Sequence, residues 1–382
     1  MLQKHPTTTA RKGGRLAVTV LLVVMGLITA QGTAMADPPT FATHVDYGAG
    51  AGPVAVDVAD FDEDGFEDQA VANSDADTVS ILLGNGDGTF DTKVDYGTGD
   101  YPDGLEPGDF NEDGDVDLVV TNSLGNTVSI LLGNGDGTFD TKVDYGTATT
   151  PYKVAAGDFD EDGNVDLAVT ALEADVVSVL LGNGDGTFDT KVDYGTGSFP
   201  YGVSVTDFDE DANVDLVVSN FGADTVSVLL GNGDGTFDAK VDYGTGAVPN
   251  RIEVGDFDED TNVDVAVANL DASSVSVLLG NGDGTLDTKV DYTTDTAPFS
   301  LEAADFDDDA NIDLVTANAF GDSVSVLSGN GDGTFDPKAD FAVDTQPFSV
   351  SVGDFDEDTR PDVTTANIGA DTVSVLLNTT TP

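Results

Sequence analysis

The 382-residue sequence contains no cysteine, no tryptophan, two histidines and 13 lysines and arginines. Without cysteine there is no disulfide framework, no thiol nucleophile and no thiolate metal site. Two histidines are too few for histidine-based zinc chemistry. Against the 13 cations stand 72 acids, for a formal net charge of −59. A field of one sign on that scale repels phosphate backbones and anionic lipid, so neither nucleic acid nor a membrane surface is an expected partner.

Cations are scarce everywhere except at the start. Residues 1–36 hold Lys4, Arg11, Lys12 and Arg15, no acid, and an apolar run from Leu16 to Ala30. This is the build of a signal peptide, and Ala34-Met35-Ala36 supplies the small-x-small cleavage pattern, which places the mature start at Asp37. The other reading, a membrane anchor, is disfavoured because the run is shorter than the ~20 residues a spanning helix needs. The expected product is secreted or held at the cell surface, monomeric and not inserted in the membrane.

From there on the sequence repeats itself every 49 residues. Asp-Phe pairs begin at Asp60, Asp109, Asp158, Asp207, Asp256, Asp305 and Asp354, and a proline keeps the same step from Pro53 to Pro347. A complete copy has four short β-branched runs, such as Val203 to Phe208, Val214 to Val218, Thr225 to Leu230 and Phe237 to Tyr243. These are too short for helices and are separated by turn residues. Four antiparallel strands per repeat make a propeller blade. The last copy stops after its third strand, while Val45-Asp46-Tyr47-Gly48, ahead of the first copy, matches Val94-Asp95-Tyr96-Gly97. The fold expected for residues 37–382 is therefore all-β: a single seven-bladed β-propeller of four-stranded antiparallel blades, closed by an N-terminal strand that completes the last blade.

The loop after each first strand reads DxDxDGxxD in the first copy, and carboxylates at alternate positions of a tight loop converge on one point. The expected ligands are Asp60, Asp62, Asp64 and Asp68; Asp109, Asn111, Asp113 and Asp117; Asp158, Asp160, Asp162 and Asp166; and Asp207, Asp209, Asp211 and Asp215. They continue with Asp256, Asp258, Asp260 and Asp264; Asp305, Asp307, Asp309 and Asp313; and Asp354, Asp356, Asp358 and Asp362. Hard oxygen donors in this number suit Ca2+, up to seven ions, with a position-7 carbonyl as a further donor. An EF-hand is excluded, because its twelfth position is Val71 or Val120 here. A solvated acidic turn without metal is the competing reading. It must tolerate like charges ~4 Å apart, each pair repelling by ~4 kcal/mol at an effective dielectric of 20. Position 6 is glycine in the first three copies but Ala212, Thr261, Ala310 and Thr359 in the rest, which predicts weaker sites there if the turn needs a positive φ.

The Gly84-Asn85-Gly86-Asp87-Gly88 segment, present in six copies, reads as a hairpin turn, with a second calcium site at Asp87 as the alternative. The residue after the repeated proline varies among copies, as does the loop after strand two, and both open onto the face opposite the acidic loops. Tyr152, Lys153, Tyr201, Arg251, Phe299 and Phe348 form the candidate ligand face, although drift at tolerant loop tips produces the same variation.

The acidic loop, preceded by runs such as Ser349-Val350-Ser351-Val352-Gly353-Asp354-Phe355, resembles the FG-GAP repeat family in its VCBS-type form and is similar to the integrin α-chain N-terminal propeller. The resemblance covers residues 41 to 378. It departs from the family pattern where Gln346-Pro347 replaces Phe-Gly and where Ala366-Asn367-Ile368 follows strand two. It implies calcium binding and adhesion to a protein or glycan ligand. One histidine in the expected mature chain, His44, and no cysteine argue against catalysis. The alternatives are a glycan-binding, polysaccharide lyase-like propeller and a structural extracellular matrix or surface protein.

Overall fold

The computed structural model describes residues 38–381, so the expected signal segment lies outside the described residues. Seven four-stranded antiparallel sheets follow one another along the chain. In blade one the strands are Pro53–Ala59, Asp68–Asn73, Thr78–Leu82 and Val94–Gly97. The first strand of each blade touches the first strands of both neighbours, so the seven line a central axis. The second strands are buried at every residue, and the short outer strands are largely exposed. No helix occurs among the described residues.

Closure occurs where the repeat mismatch places it. Val45–Gly48 pairs antiparallel with Thr372–Leu376, in the register Val45 to Val375 through Gly48 to Thr372. Phe41 bridges Asn378. The last blade therefore has four strands, like the other six.

All four strands of blade four differ from the sequence expectation at one end or both; the second runs Asp215–Asn220 and the third Thr225–Leu229, and the first and fourth differ most. In blade four the first strand runs Pro200–Thr206, beginning earlier than Val203, and its register with strand two shifts between Pro200 and Val203. The fourth strand is only Val241–Gly244. Phe237 lies ahead of it, bridges Gly231 and is 8% exposed, because it packs into the adjoining blade rather than continuing the ladder.

The hydrophobic core is divided among the interfaces between blades. Each of the seven apolar clusters joins two neighbouring blades, the last joining blade seven to blade one. At its centre is the phenylalanine of the Asp-Phe pair. Phe61 sits 5.7 Å, edge to face, from Phe139 of the next blade, and Tyr96 approaches Phe139 from the outer strand at 5.3 Å. Phe355, Phe90 and Tyr47 make the same triplet across the closure. Burying each such ring is worth ~1.5–3 kcal/mol, and each edge-on pair adds ~0.5–1.5.

A polar relay holds the strands within each blade. Asn73 donates to Ser80 at 2.9 Å, Ser80 donates to Asp95 at 2.6 Å, and Lys93 pairs with Asp95 on the surface. In blade seven Ser374 donates to Asp46 at 2.7 Å, so the closing strand completes the relay as well as the ladder. Gly50 makes room for it: a Cβ there would lie 2.5 Å from Asn73 Cγ, and the same holds at Gly99, Gly197 and Gly246 within 2.6 Å. Where Asp295 and Asp344 replace that glycine, the amide oxygen of Asn318 or Asn367 accepts from Thr316 or Thr365 instead. Blade three has Ala148 and Ala171 at the two positions and lacks the amide.

The pairing of these positions makes a prediction. Ala171→Asn alone is destabilising, because Ala148 N already donates to Ser178 Oγ and Val169 stands where Thr316 and Thr365 donate in blades six and seven, which leaves the new amide oxygen buried without a donor. Adding Ala148→Gly restores about 1–2 kcal/mol through the buried hydrogen bonds that form. A double-mutant cycle by denaturant unfolding reads this coupling, and additive effects would refute it.

Candidate metal sites and the opposite face

Each acidic loop is wound by its own carboxylates. In blade one Asp60 accepts from the amides of Asp64 (3.2 Å) and Gly65 (3.0 Å), Asp62 accepts from Asp64 (3.2 Å), and Asp64 accepts from Phe66 (2.9 Å). The turn needs two left-handed residues. Position 6 has φ of 93 to 96° where it is glycine and 73 to 78° where it is Ala212, Thr261, Ala310 or Thr359. Position 4, Glu63 and its counterparts, has φ of 56 to 60°. Nothing in the sequence marks the second of these, because glutamate has no special tolerance for that region.

The convergence expected from the spacing is present. Oxygens of Asp60, Asp62 and Asp68 lie within 4.8 Å of one another, as do those of Asp158, Asp160 and Asp166, of Asp207, Asp209 and Asp215, and of Asp305, Asp307 and Asp313. In blade five the convergent trio is Asp256, Asp258 and Asp260, so position 5 joins there instead of position 9. One oxygen of the position-3 carboxylate is buried without a hydrogen-bond partner in blades three, four, six and seven: Oδ1 of Asp160, Asp209, Asp307 and Asp356. A buried carboxylate oxygen without a donor is costly, and a cation supplies what it lacks. The donors are all hard oxygens, so these loops could hold a hard divalent ion.

Two loops depart from the pattern. In blade two Asn111 donates its amide to Asp113 at 2.9 Å. In blade seven Arg360 pairs with Asp358, whose carboxyl it holds below the usual range. That arginine competes with a metal for the position-5 oxygen, which makes this loop the poorest of the seven for a cation.

Position 9 does more than close the cage. Asp68 is fully buried; its Oδ2 accepts from Phe61 N at 2.8 Å and its Oδ1 from Gly84 N at 2.7 Å. The same carboxylate therefore ties the acidic loop to the glycine-rich turn, and each oxygen keeps a second lone pair for a metal. Gly84 is required by approach: a Cβ would lie 2.2 Å from the Glu67 carbonyl oxygen. The turn itself is satisfied internally, with Asn85 N donating to Thr89 O at 2.9 Å and Asp87 accepting from Thr89 N at 3.2 Å.

The six residues of the candidate ligand face do meet, but as a plug. Tyr152 and Tyr201 pack with centroids 4.0 Å apart, Phe299 and Phe348 stack at 4.1 Å, and Tyr201 meets Phe299 edge-on at 5.9 Å. Tyr201 is 5% exposed and Lys153 7%. Arg251 approaches Glu302 at 3.5 Å. The exposed apolar groups on this side are Leu124, Phe199 and Phe320. Phe199, which the sequence reading did not single out, borders a shallow apolar cleft of about 270 Å³ with Leu172, Tyr201 and Phe221. Its φ of 52°, just before the repeated proline, turns the side chain outward; only the five other residues and Gly52 that share this conformation could have signalled it.

Burial, helped by neighbouring carboxylates and opposed by the two amide bonds, pushes position 9 upward. Asp68 and Asp362 rise to about 7, Asp117, Asp166, Asp215 and Asp264 to about 6, and Asp313 to about 8. In the unfolded chain these groups titrate near ~3.9, so between that value and about 8 the folded form holds protons that the unfolded form has lost. Without metal, stability therefore falls as pH rises through that window. Unfolding midpoints at pH 5 and pH 8 in chelator check this: the pH 8 value is expected to be the lower, and added divalent cation to remove the difference.

The FG-GAP-like repeat model matches residues 60–120, 109–169, 207–267, 256–316 and 305–365. No curated protein matches the chain. Among solved structures, a chain of the BBS1N–ARL6DN complex soaked with lead superposes with a TM-score of 0.61 at 13% identity, over 88% of this chain and 98% of that one. A lectin from Agrocybe aegerita that recognises non-reducing terminal N-acetylglucosamine gives 0.55 at 19% identity, over 85% and 86%. A proposed 6-phosphogluconolactonase from Bacteroides uniformis gives 0.60 at 14%, over 86% and 95%. At these identities the likeness is one of fold. The five repeat matches span more than half of the sequence and start on the aspartates that open the acidic loops, and the chain belongs to the FG-GAP-like repeat family.

Proposed function

We propose that the chain is a secreted, calcium-stabilised binding or adhesion propeller without enzymatic activity, and that it meets a protein or glycan ligand on the face opposite the acidic loops. The observation that carries this is the repeated convergence of carboxylates at a single point of each loop, with position-3 oxygens buried and unpartnered. Calcium fits because it accepts six to eight oxygens in flexible geometry, which suits loops whose sixth residue varies. Metal bound only by the folded loops adds its binding free energy to stability. The signal-like composition of residues 1–36 supports export, to where calcium is plentiful.

The ligand reading rests on the opposite face. The cleft of Leu172, Phe199, Tyr201 and Phe221 offers aromatic surface without polar competition, a surface suited to the apolar face of a sugar ring or to an apolar side chain. Related folds supply both precedents: a glycan recognised by the Agrocybe aegerita lectin and a protein partner in the BBS1N–ARL6DN complex. The described histidine, His44, stands just ahead of the closing strand, with no hydrogen-bond partner at Nδ1.

Thermal unfolding in excess calcium and again in excess chelator, at fixed ionic strength, tests the metal. A drop of more than 10 °C in chelator, reversed by calcium and not by magnesium, is expected, and an unchanged midpoint would overturn the calcium reading. Thr261→Gly and Thr359→Gly should each tighten calcium binding or raise stability by about 1 kcal/mol, because a β-branched residue leaves the left-handed region. For the ligand, Phe199→Ala with Phe221→Ala should abolish glycan-array or protein-partner binding while leaving the melting temperature in calcium within a few degrees.

A further inference from the structure

The axis of the ring holds a cavity of about 300 Å³ whose wall carries four carboxylates, Asp57, Glu106, Glu253 and Glu302. All four stand four residues after the repeated proline, at one level of the innermost strands; the other three blades have Ala155, Ser204 and Ser351 there. These acids belong to no acidic loop. Two cations face them. Arg251 lies 3.5 Å from Glu302, while Lys153, 7% exposed, reaches only the Asp103 carbonyl, at 3.5 Å. Asp57 accepts from Val58 N at 2.9 Å. Glu106 and Glu253 take part in no hydrogen bond; Arg251 acts on both, as do the other acids of the cavity. When all are ionised, four carboxylates against two cations leave two negative charges uncompensated. Beside them, where Arg251 also lines a void of about 10 Å³ under the aromatic plug, the Ser300 hydroxyl is 2% exposed and unpartnered.

We propose that this axial cavity binds a small aliphatic diamine, its ammonium groups on Glu106 and Glu253 and its methylenes against the apolar wall. The alternation of the wall decides the class of ligand. A bare divalent ion wants oxygen on every side, whereas the half-buried Val203, Val205 and Val254 stand among these carboxylates. Alkyl chains pack on such residues while ammonium groups take charge-assisted hydrogen bonds. At the plugged end Val54, Asp103, Tyr201 and Asn250 are buried and Tyr152, Phe299 and Phe348 half-buried, and the void beneath them is only about 10 Å³, too small for a diamine.

The groups facing the cavity set the pH response. Burial pushes Glu106 up to about 8 and Glu302 to about 7, raises Asp57 and Glu253, and pushes Lys153 down to about 7 with help from Arg251; Asp103 stands beyond Lys153. As pH rises from 6 to 8 the acids gain charge and the lysine loses it, and both changes favour a bound cation.

Titration calorimetry of the full chain with 1,4-diaminobutane, in saturating calcium so that the acidic loops are occupied, tests the assignment. The expected result is one site per chain, several-fold tighter at pH 8 than at pH 6 and weakened at least tenfold by Glu106→Gln with Glu253→Gln. That isosteric pair removes like-charge repulsion and should fold, which its melting temperature in calcium reports. The surface pair Asp91→Asn with Asp140→Asn should leave binding unchanged. No binding at millimolar diamine, several weak sites that salt removes from wild type and Gln variant alike, or loss of binding on adding calcium would each overturn the proposal.

Discussion

Every blade is fastened to the next through the backbone of one phenylalanine. Phe61 donates its N–H to Asp68 within its own acidic loop and accepts at its carbonyl from Gly137 of the following blade, at 2.8 and 3.0 Å. The acceptor contact recurs at Phe110, Phe159, Phe208, Phe257 and Phe355. At Phe306 the Asn378 side chain replaces the glycine amide, at 3.0 Å. The ring of each phenylalanine fills the interface core while its peptide groups join the acidic loop to the neighbour. Disturbing the loop therefore disturbs the contact between blades, and a cation held in the loop would strengthen that contact.

This arrangement gives the two faces different work. On the acidic-loop face the glycine turn, the position-9 aspartate and the phenylalanine are nearly the same in every blade, because each takes part in ring closure. On the other face each blade ends in a connection held by one aspartate or its stand-in, such as Asp77 accepting from Tyr101 N at 2.9 Å, and the side chain displayed there is free to differ. Phe199 and Phe320 stand out into solvent, whereas Tyr152, Tyr201, Phe299 and Phe348 turn inward and plug the axis. Beneath the plug the inner strands differ again, and their acids and cations give the ring a polar core unlike its apolar interfaces.

The constant 49-residue step made the architecture legible. Val45–Gly48 could be assigned to the last blade because it copies Val94–Gly97 and the last copy lacks that strand. Alternate aspartates in a short loop made the convergence legible too. The Asn73, Ser80 and Asp95 relay was not, because each is an ordinary polar residue until strand register aligns the three. From sequence, Tyr152, Tyr201, Phe299 and Phe348 read as part of an open ligand face, because a residue after proline looks like a loop tip. The register shift that follows each proline instead carries it into the first strand and toward the axis. The acids at Asp57, Glu106, Glu253 and Glu302 are hidden among the chain's 72 acids, and only the ring brings them together.

Hydrogen exchange at the phenylalanine and glycine amides, with calcium and with chelator, tests the central coupling most directly. The account predicts that calcium slows exchange at Phe61, Phe110 and their counterparts and, with them, at Gly88, Gly137, Gly186, Gly235, Gly284 and Gly333, which reach across from the next blade. Protection confined to the amides within the acidic loops, with the glycines across the interface unchanged, would contradict it.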